Sequence, residues 1–123
     1  MTDFTLTKDA DGVATITWDV KAKSMNVLSL EGWDDLDGCV TDALADDAVK
    51  GIVITSGKDT FAGGMDLKTL ATIKAEGGDT PAPALFDFIM NGHRILRKIE
   101  RAGMEPKTNK GGKPIACAIA GLC

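Results

Sequence analysis

The chain is expected to be an α/β fold, and three observations lead there. Two short, largely apolar runs, Val49 to Thr55 and Ile115 to Ala120, are of strand length, the second without any charge, as in strands buried on both faces. Segments with apolar residues at three- and four-residue steps separate them, which makes a βα-type crossover between parallel strands. An alternating segment opens the chain and reads as a hairpin. At 123 residues the chain is one domain or a piece of one.

Taken in order, Phe4 and Leu6 alternate with threonines, Asp9-Ala10-Asp11-Gly12 supplies turn residues, and Ala14, Ile16 and Trp18 alternate with Val13, Thr15 and Thr17. Asp19 to Ser24 is polar and reads as loop. Ser29 is placed to cap a helix, with Glu31 in its first turn complementing the dipole. Leu30, Trp33, Leu36, Val40 and Ala43-Leu44 give that helix an apolar stripe ending near Leu44. Asp34, Asp35, Asp37 and Asp42 lie off the stripe. Their spacing matches no calcium loop, so they read as a solvated acidic face.

After the strand from Val49, a short helix is expected from Met65 to about Lys74. Glu76 to Pro83 is a break rich in Gly and Pro. A long helix follows, with Leu85, Phe88-Ile89, Gly92, Ile95-Leu96 and Ile99 as its buried stripe, cations in its last turns and Gly103 as its stop. His93, the single histidine, is expected on this helix's surface or half-buried, without a catalytic role. Met104 to Lys113 imitates a phosphate-binding loop, but Lys107 and Pro114 stand where the motif needs Gly and Ser or Thr.

The stretch with chemical potential is Val49 to Leu67. Ser56-Gly57 is a turn signal, and Phe61, Gly63-Gly64 and Asp66-Leu67 lead into a helical pattern. Glycines between a strand and a helix let backbone approach a ligand. The first N–H groups of the helix lack internal partners, which is how main chain alone forms an anion or oxyanion site. An ordinary strand-to-helix connection is the other reading of the same residues. In the loop from Lys21 to Asn26, Lys21 and Lys23 could carry ammonium groups to phosphates, or could simply be solvated.

Three motifs together resemble one family. Phe61-Ala62-Gly63-Gly64-Met65-Asp66-Leu67 is similar to the F-x-A-G-x-D-L signature of the crotonase (enoyl-CoA hydratase/isomerase) family. Lys23-Ser24-Met25-Asn26-Val27-Leu28 resembles its early K-x-x-N-x-L segment, and Lys113 to Gly121 resembles its K-P-x-I-A-A-x-x-G strand. The order and rough spacing agree. The wording KSMNVL resembles most the N-terminal hydratase region of multifunctional fatty-acid β-oxidation proteins.

The resemblance implies the N-terminal half of a crotonase-like spiral of ββα units, although no internal repeat is visible. Residues 1–123 would then be a partial domain, ending after the strand that closes near Gly121. It further implies an enoyl-CoA hydratase acting on trans-2-enoyl-CoA thioesters. Two backbone N–H groups would stabilise the enolate, the first of them that of Met65. Lys23, Ser24 and Met25 fall where the family contacts the nucleotide end of coenzyme A. Gly63 and Gly64 would leave room for the adenine and pantetheine arm, Leu67 would line that pocket, and Asp66 would orient the turn or cap the helix. The second donor and the paired glutamates lie beyond Gly121 in the family, and Glu76, Glu100 and Glu105 match none of those segments. The chain by itself is therefore expected to be inactive. Isomerisation, another acyl-CoA reaction such as thioester hydrolysis, a non-catalytic CoA-binding module and a fragment without function remain the alternatives. Coenzyme A would enter only as part of the substrate, with no further cofactor and no metal. The implied partners are a trimer-based assembly of copies, a downstream dehydrogenase domain and a thiolase.

Composition narrows the classes. A net charge of −4 and the lack of a basic patch argue against nucleic acid. With 44% hydrophobic and 26% charged residues, the chain reads as globular rather than disordered. Cys39, Cys117 and Cys123 form no C-x-x-C, so reduced core thiols and a cytoplasmic setting are expected. The first twelve residues have no basic-then-apolar leader pattern, and no run approaches membrane-spanning length. The uncharged run at Ile115 to Ala120 would lie at or near a sheet edge, so self-association is expected of the isolated chain.

Overall fold

The structure, a computed structural model, describes residues 2–123. Its elements run β1 (Phe4–Lys8), β2 (Val13–Trp18), α1 (Leu30–Ala45), β3 (Gly51–Ser56), α2 (Leu67–Glu76), α3 (Ala82–Arg101) and β4 (Ile115–Ala118). The strands form one sheet in the order β1-β2-β3-β4. β1 and β2 pair antiparallel; β2 with β3 and β3 with β4 pair parallel.

The hairpin forms because Asp9 supplies its turn chemistry. Asp9 Oδ1 accepts from Asp11 N and Val13 N, each at 2.9 Å. Gly12 adopts φ +84°, and a Cβ there would stand 2.6 Å from Ala48 O, so only glycine fits. The register then aligns Phe4 with Trp18, Leu6 with Ile16, and Ile16 with Ile54. Since side chains alternate across a strand, these residues share one face. That face carries the core: Phe4, Ile16, Trp18 and Ile52 are buried against Leu36, Val40 and Ala43 of α1 and Ile95 of α3. Phe4 stacks on Trp18 with ring centroids 5.2 Å apart, and Phe61 meets Trp18 edge-on at 6.0 Å.

Both expected caps are present. Ser29 Oγ accepts from Gly32 N at 3.1 Å and starts α1. Asp66 Oδ2 accepts from Thr69 N at 3.1 Å, so α2 starts at Leu67 and not at Met65. α3 starts at Ala82, inside the expected break, because Pro83 suits a first helical turn that needs no N–H. Ala102, at φ 51°, caps its end, and Gly103, the expected stop, follows at φ +80°.

Several burial expectations are corrected. β3 begins at Gly51, and only Ile52 in it is buried, because helices cover one face of the sheet and leave Val53 and Thr55 half-buried. The strand expected over Ile115 to Ala120 ends at Ala118. Its Ala116, Cys117 and Ala118 are exposed, since β4 is an outer strand that α1 and α3 do not cover. In α3 only Gly92 and Ile95 are buried, while Ile89 and Leu96 are 51% and 52% exposed, so its apolar residues spread over more than one face. The cysteines are free thiols, but Cys117 and Cys123 are exposed rather than in the core. His93 is on the surface.

Two outcomes follow from this packing. Ile16→Ala should lower the unfolding free energy by about 2–5 kcal/mol in urea titration, far more than Thr15→Ala on the opposite face. The second concerns Asp66, whose carboxyl is held below the usual carboxylate range first by the hydrogen bond from Lys23 and then by Thr69. A depressed value means stability that is present above the unfolded-state pKa of about 3.9 and is lost as pH falls through the folded value. The stability difference between wild type and Asp66→Asn, measured by urea titration, should therefore be flat near neutrality and change only in acid below that value.

Candidate functional site

Loops leaving β2 and β3 meet at one end of the sheet. The parallel register sets Trp18 opposite Ser56, so the chain after each strand emerges on the same side. Asn26, in the first loop, is fully buried there. Its Nδ2 donates to Trp18 O at 2.9 Å, Ser56 Oγ at 2.9 Å and Phe61 O at 3.1 Å, and its Oδ1 accepts from Val20 N at 3.0 Å. Ser56 Oγ in turn donates to Thr60 O at 2.7 Å and accepts from Lys58 N at 2.9 Å.

Beyond Asn26 the two loops run alongside each other. Gly63 N donates to Asn26 O at 2.6 Å, Leu28 N to Gly64 O at 2.9 Å, and Asp66 N to Leu28 O at 2.9 Å. These bonds make a parallel bridge between Leu28 and Met65. In such a bridge the N–H of the spanned residue, Met65, faces away from the partner segment. Among the described residues Met65 N–H has no acceptor. It stands one residue before the cap of α2, where the helix dipole adds positive potential.

The predicted site residues fall on both sides of this junction. A Cβ on Gly63 would meet Met25 Cε at 3.1 Å and Asn26 O at 3.3 Å, so the missing side chain at Gly63 admits the neighbouring loop. Gly64 faces open space, and its φ of +94° is what demands glycine. Met25 is half-buried against Gly63, and Ser24 is exposed. Leu67 is 77% exposed. Lys23 Nζ bonds Asp66 Oδ1 at 2.6 Å, tying the two loops together while Oδ2 of the same carboxylate caps α2. Lys21 pairs with Asp19, which also takes Lys58 at 2.8 Å; Lys21 and then Lys58 hold the Asp19 carboxyl below its usual range. Both loop lysines are thus already engaged, in exposed pairs that contribute little.

A groove of about 750 Å³ lies beneath this junction, on the helix side of the sheet. Leu28, Ile54, Phe61, Leu96, Ile115 and Cys117 give it apolar walls, and Met65, Gly63 and Gly64 are not among its lining residues. Glu100, which also lines the groove, pairs with Arg97, and Glu105 accepts from Thr108 N at 2.6 Å. Among the described residues, no group of three His, Cys, Asp or Glu side chains is placed to hold a metal, and no helix is long and apolar enough to cross a membrane. Asn26 is the residue that sequence reading passed over. Its only signal was its place inside K-x-x-N-x-L, because nothing local reveals that an asparagine will be buried between two strand ends.

Comparison with known proteins agrees with this fold. No protein-family model matches the chain. Among curated proteins it is 31% identical over 121 residues to the fatty acid oxidation complex subunit alpha of Shewanella baltica strain OS155, and likewise to that of Shewanella frigidimarina. Each alignment covers 98% of this chain and 15% of the relative, so the chain spans about a seventh of the relatives' length. Among solved structures it superposes on an enoyl-CoA hydratase/isomerase from Xanthobacter autotrophicus Py2 with a TM-score of 0.75 and 21% identity, covering 98% of this chain and 39% of that one. A crotonase from Legionella pneumophila, itself described as a putative enoyl-CoA hydratase/isomerase, gives a TM-score of 0.78 at 16% identity, covering 98% and 41%. The chain has the crotonase fold over nearly its whole length, and its sequence resembles the N-terminal region of fatty acid oxidation complex alpha subunits.

Proposed function

We propose that this chain forms the coenzyme A side of an enoyl-CoA hydratase site acting on trans-2-enoyl-CoA thioesters in fatty-acid β-oxidation. The observation that carries the reading is the Met65 N–H, which has no acceptor among the described residues and sits in a turn pinned by backbone bonds at the start of a capped helix. In this reading Met65 N–H donates to the thioester oxygen. That oxygen gains charge as the enolate forms, so a fixed donor favours the transition state over the ground state. Loss of one such donor typically raises the barrier by about 3 kcal/mol.

The neighbouring residues take the roles that suit their chemistry. Gly64 leaves open space beside the turn for the pantetheine arm, and Gly63 keeps the two loops close enough for one ligand to touch both. Lys23, Ser24 and Met25 face the nucleotide end, with Lys23 exchanging its Asp66 partner for a phosphate. Leu67, exposed as it is, offers apolar contact to the adenine. Asp66 shapes the turn by capping α2 through Oδ2, a role it keeps when Lys23 leaves Oδ1, and is not assigned as a general base. Coenzyme A comes and goes with the substrate, and the residues here call for no other cofactor. For the whole protein, the accompanying proposals are a cytoplasmic, trimer-based assembly with a dehydrogenase domain and a thiolase partner.

Calorimetric titration with a CoA thioester tests the binding half of this reading. The chain should bind, and Gly64→Val should abolish binding, because a β-branched residue at φ +94° distorts the turn at a cost of about 1–3 kcal/mol and fills its open side. Unchanged affinity would reduce the glycine pair to a mere turn. The 123 residues should also leave the enoyl-thioester absorbance of crotonyl-CoA unchanged, since no glutamate among those described is placed at the turn. Turnover above a blank would show an acid/base pair that this reading lacks.

A further inference from the structure

We propose that Asn26 is the positioning residue of this site: its buried amide sets the aim of Met65 N–H. The inference rests on the reading that Met65 N–H receives the thioester oxygen. Met65 has no bond of its own to fix that direction. It inherits its place from the turn, and the turn is held by Asn26 at three points. Nδ2 takes Phe61 O, at the start of the turn. Through Ser56 Oγ the same amide nitrogen reaches Thr60 O. The backbone oxygen of Asn26 takes Gly63 N, two residues before Met65. On its other side, the amide is fastened to the end of β2 through Trp18 O and Val20 N.

An amide is the group this gap requires. Val20 offers a donor, and Trp18 and Phe61 offer carbonyl acceptors, so the side chain must accept on one atom and donate twice on another. A carboxylate cannot donate and leucine can do neither, although each nearly matches the volume. The apolar core formed by Phe4, Ile16, Leu36, Val40, Ile52 and Ile95 does not include Asn26. Removing the amide should therefore loosen the turn before it loosens the sheet.

Two ligands separate positioning from general stability. Acetoacetyl-CoA, as its enolate, presents negative charge on oxygen to the donor, whereas CoA has no acyl oxygen at all. Wild type should bind acetoacetyl-CoA more tightly than CoA. In Asn26→Asp that preference should shrink about tenfold while CoA affinity changes little, and amide hydrogen exchange should accelerate at Gly63 and Asp66, whose N–H groups bond the neighbouring loop, but not at Ile16 or Ile52. Ser56→Ala, which removes one link only, should shift the preference the same way by less, and it serves should Asn26→Asp fail to fold. If both variants that fold keep the wild-type preference, or lose affinity for the two ligands in equal proportion, Asn26 is structural and the proposal fails. If wild type itself shows no preference, the oxyanion reading of Met65 fails first and this inference goes with it.

Discussion

Six residue pairs in parallel, from Val13 with Gly51 to Trp18 with Ser56, determine most of what this chain can do. Parallel strands place the starts of their following loops at the same sheet end, and it is at such ends that α/β proteins collect their sites. Here the loop after β2 and the loop after β3 emerge side by side, 38 positions apart in sequence from Trp18 to Ser56. The short bridge between Leu28 and Met65 continues the pairing past the strands themselves. Without that register, the KSMN loop and the FAGGMDL turn would be two unrelated surface segments.

Continuing the pairing beyond the strands creates a polar problem, because Val20 N–H and the Phe61 carbonyl lie where no strand remains to pair with them, whereas Trp18 O already accepts from Gly57 N. An unmatched buried carbonyl costs about 1–3 kcal/mol, so the gap must be filled by a group with both donor and acceptor. Asn26 fills it, and Ser56 extends its reach to the next turn residue. The same arrangement leaves Met65 N–H unused. A donor that is held by its neighbours and bonded to none of them is ready for a ligand without rearrangement, which is the condition for electrostatic preorganisation.

Around this rigid junction the charges are soft. Lys23 with Asp66 ties the two loops and Lys21 with Asp19 closes within one of them, yet exposed pairs of this kind contribute little and are screened by salt. A phosphate can take a lysine from its carboxylate at small cost, and Asp66 keeps its helix cap through the other oxygen. The apolar groove under β4 is of a different character. It is lined mostly by apolar side chains of the sheet, α3 and the loop before β4, and it shares Trp18, Leu28 and Phe61 with the junction.

Local chemistry was enough to read much of this from sequence. Asp9 to Gly12 specifies its hairpin turn, Ser29 caps the first helix, and alternation at Ala14, Ile16 and Trp18 marks the inward face, since each depends on neighbours a few residues away. The crotonase resemblance likewise rests on contiguous motifs and agrees with the fold found. What sequence could not supply was the degree of cover. Continuous apolar runs at Val49 and Ile115 looked buried on both faces, but burial is decided by which helices reach each strand, and α1 and α3 cover only one side and stop short of β4. Nor could it show that Lys23 would find Asp66, 43 positions away, or that Asn26 would be enclosed by two strand ends. Those contacts exist only after the parallel register has brought distant segments together, so the residues named the chemistry and the tertiary pairing decided which of them could meet.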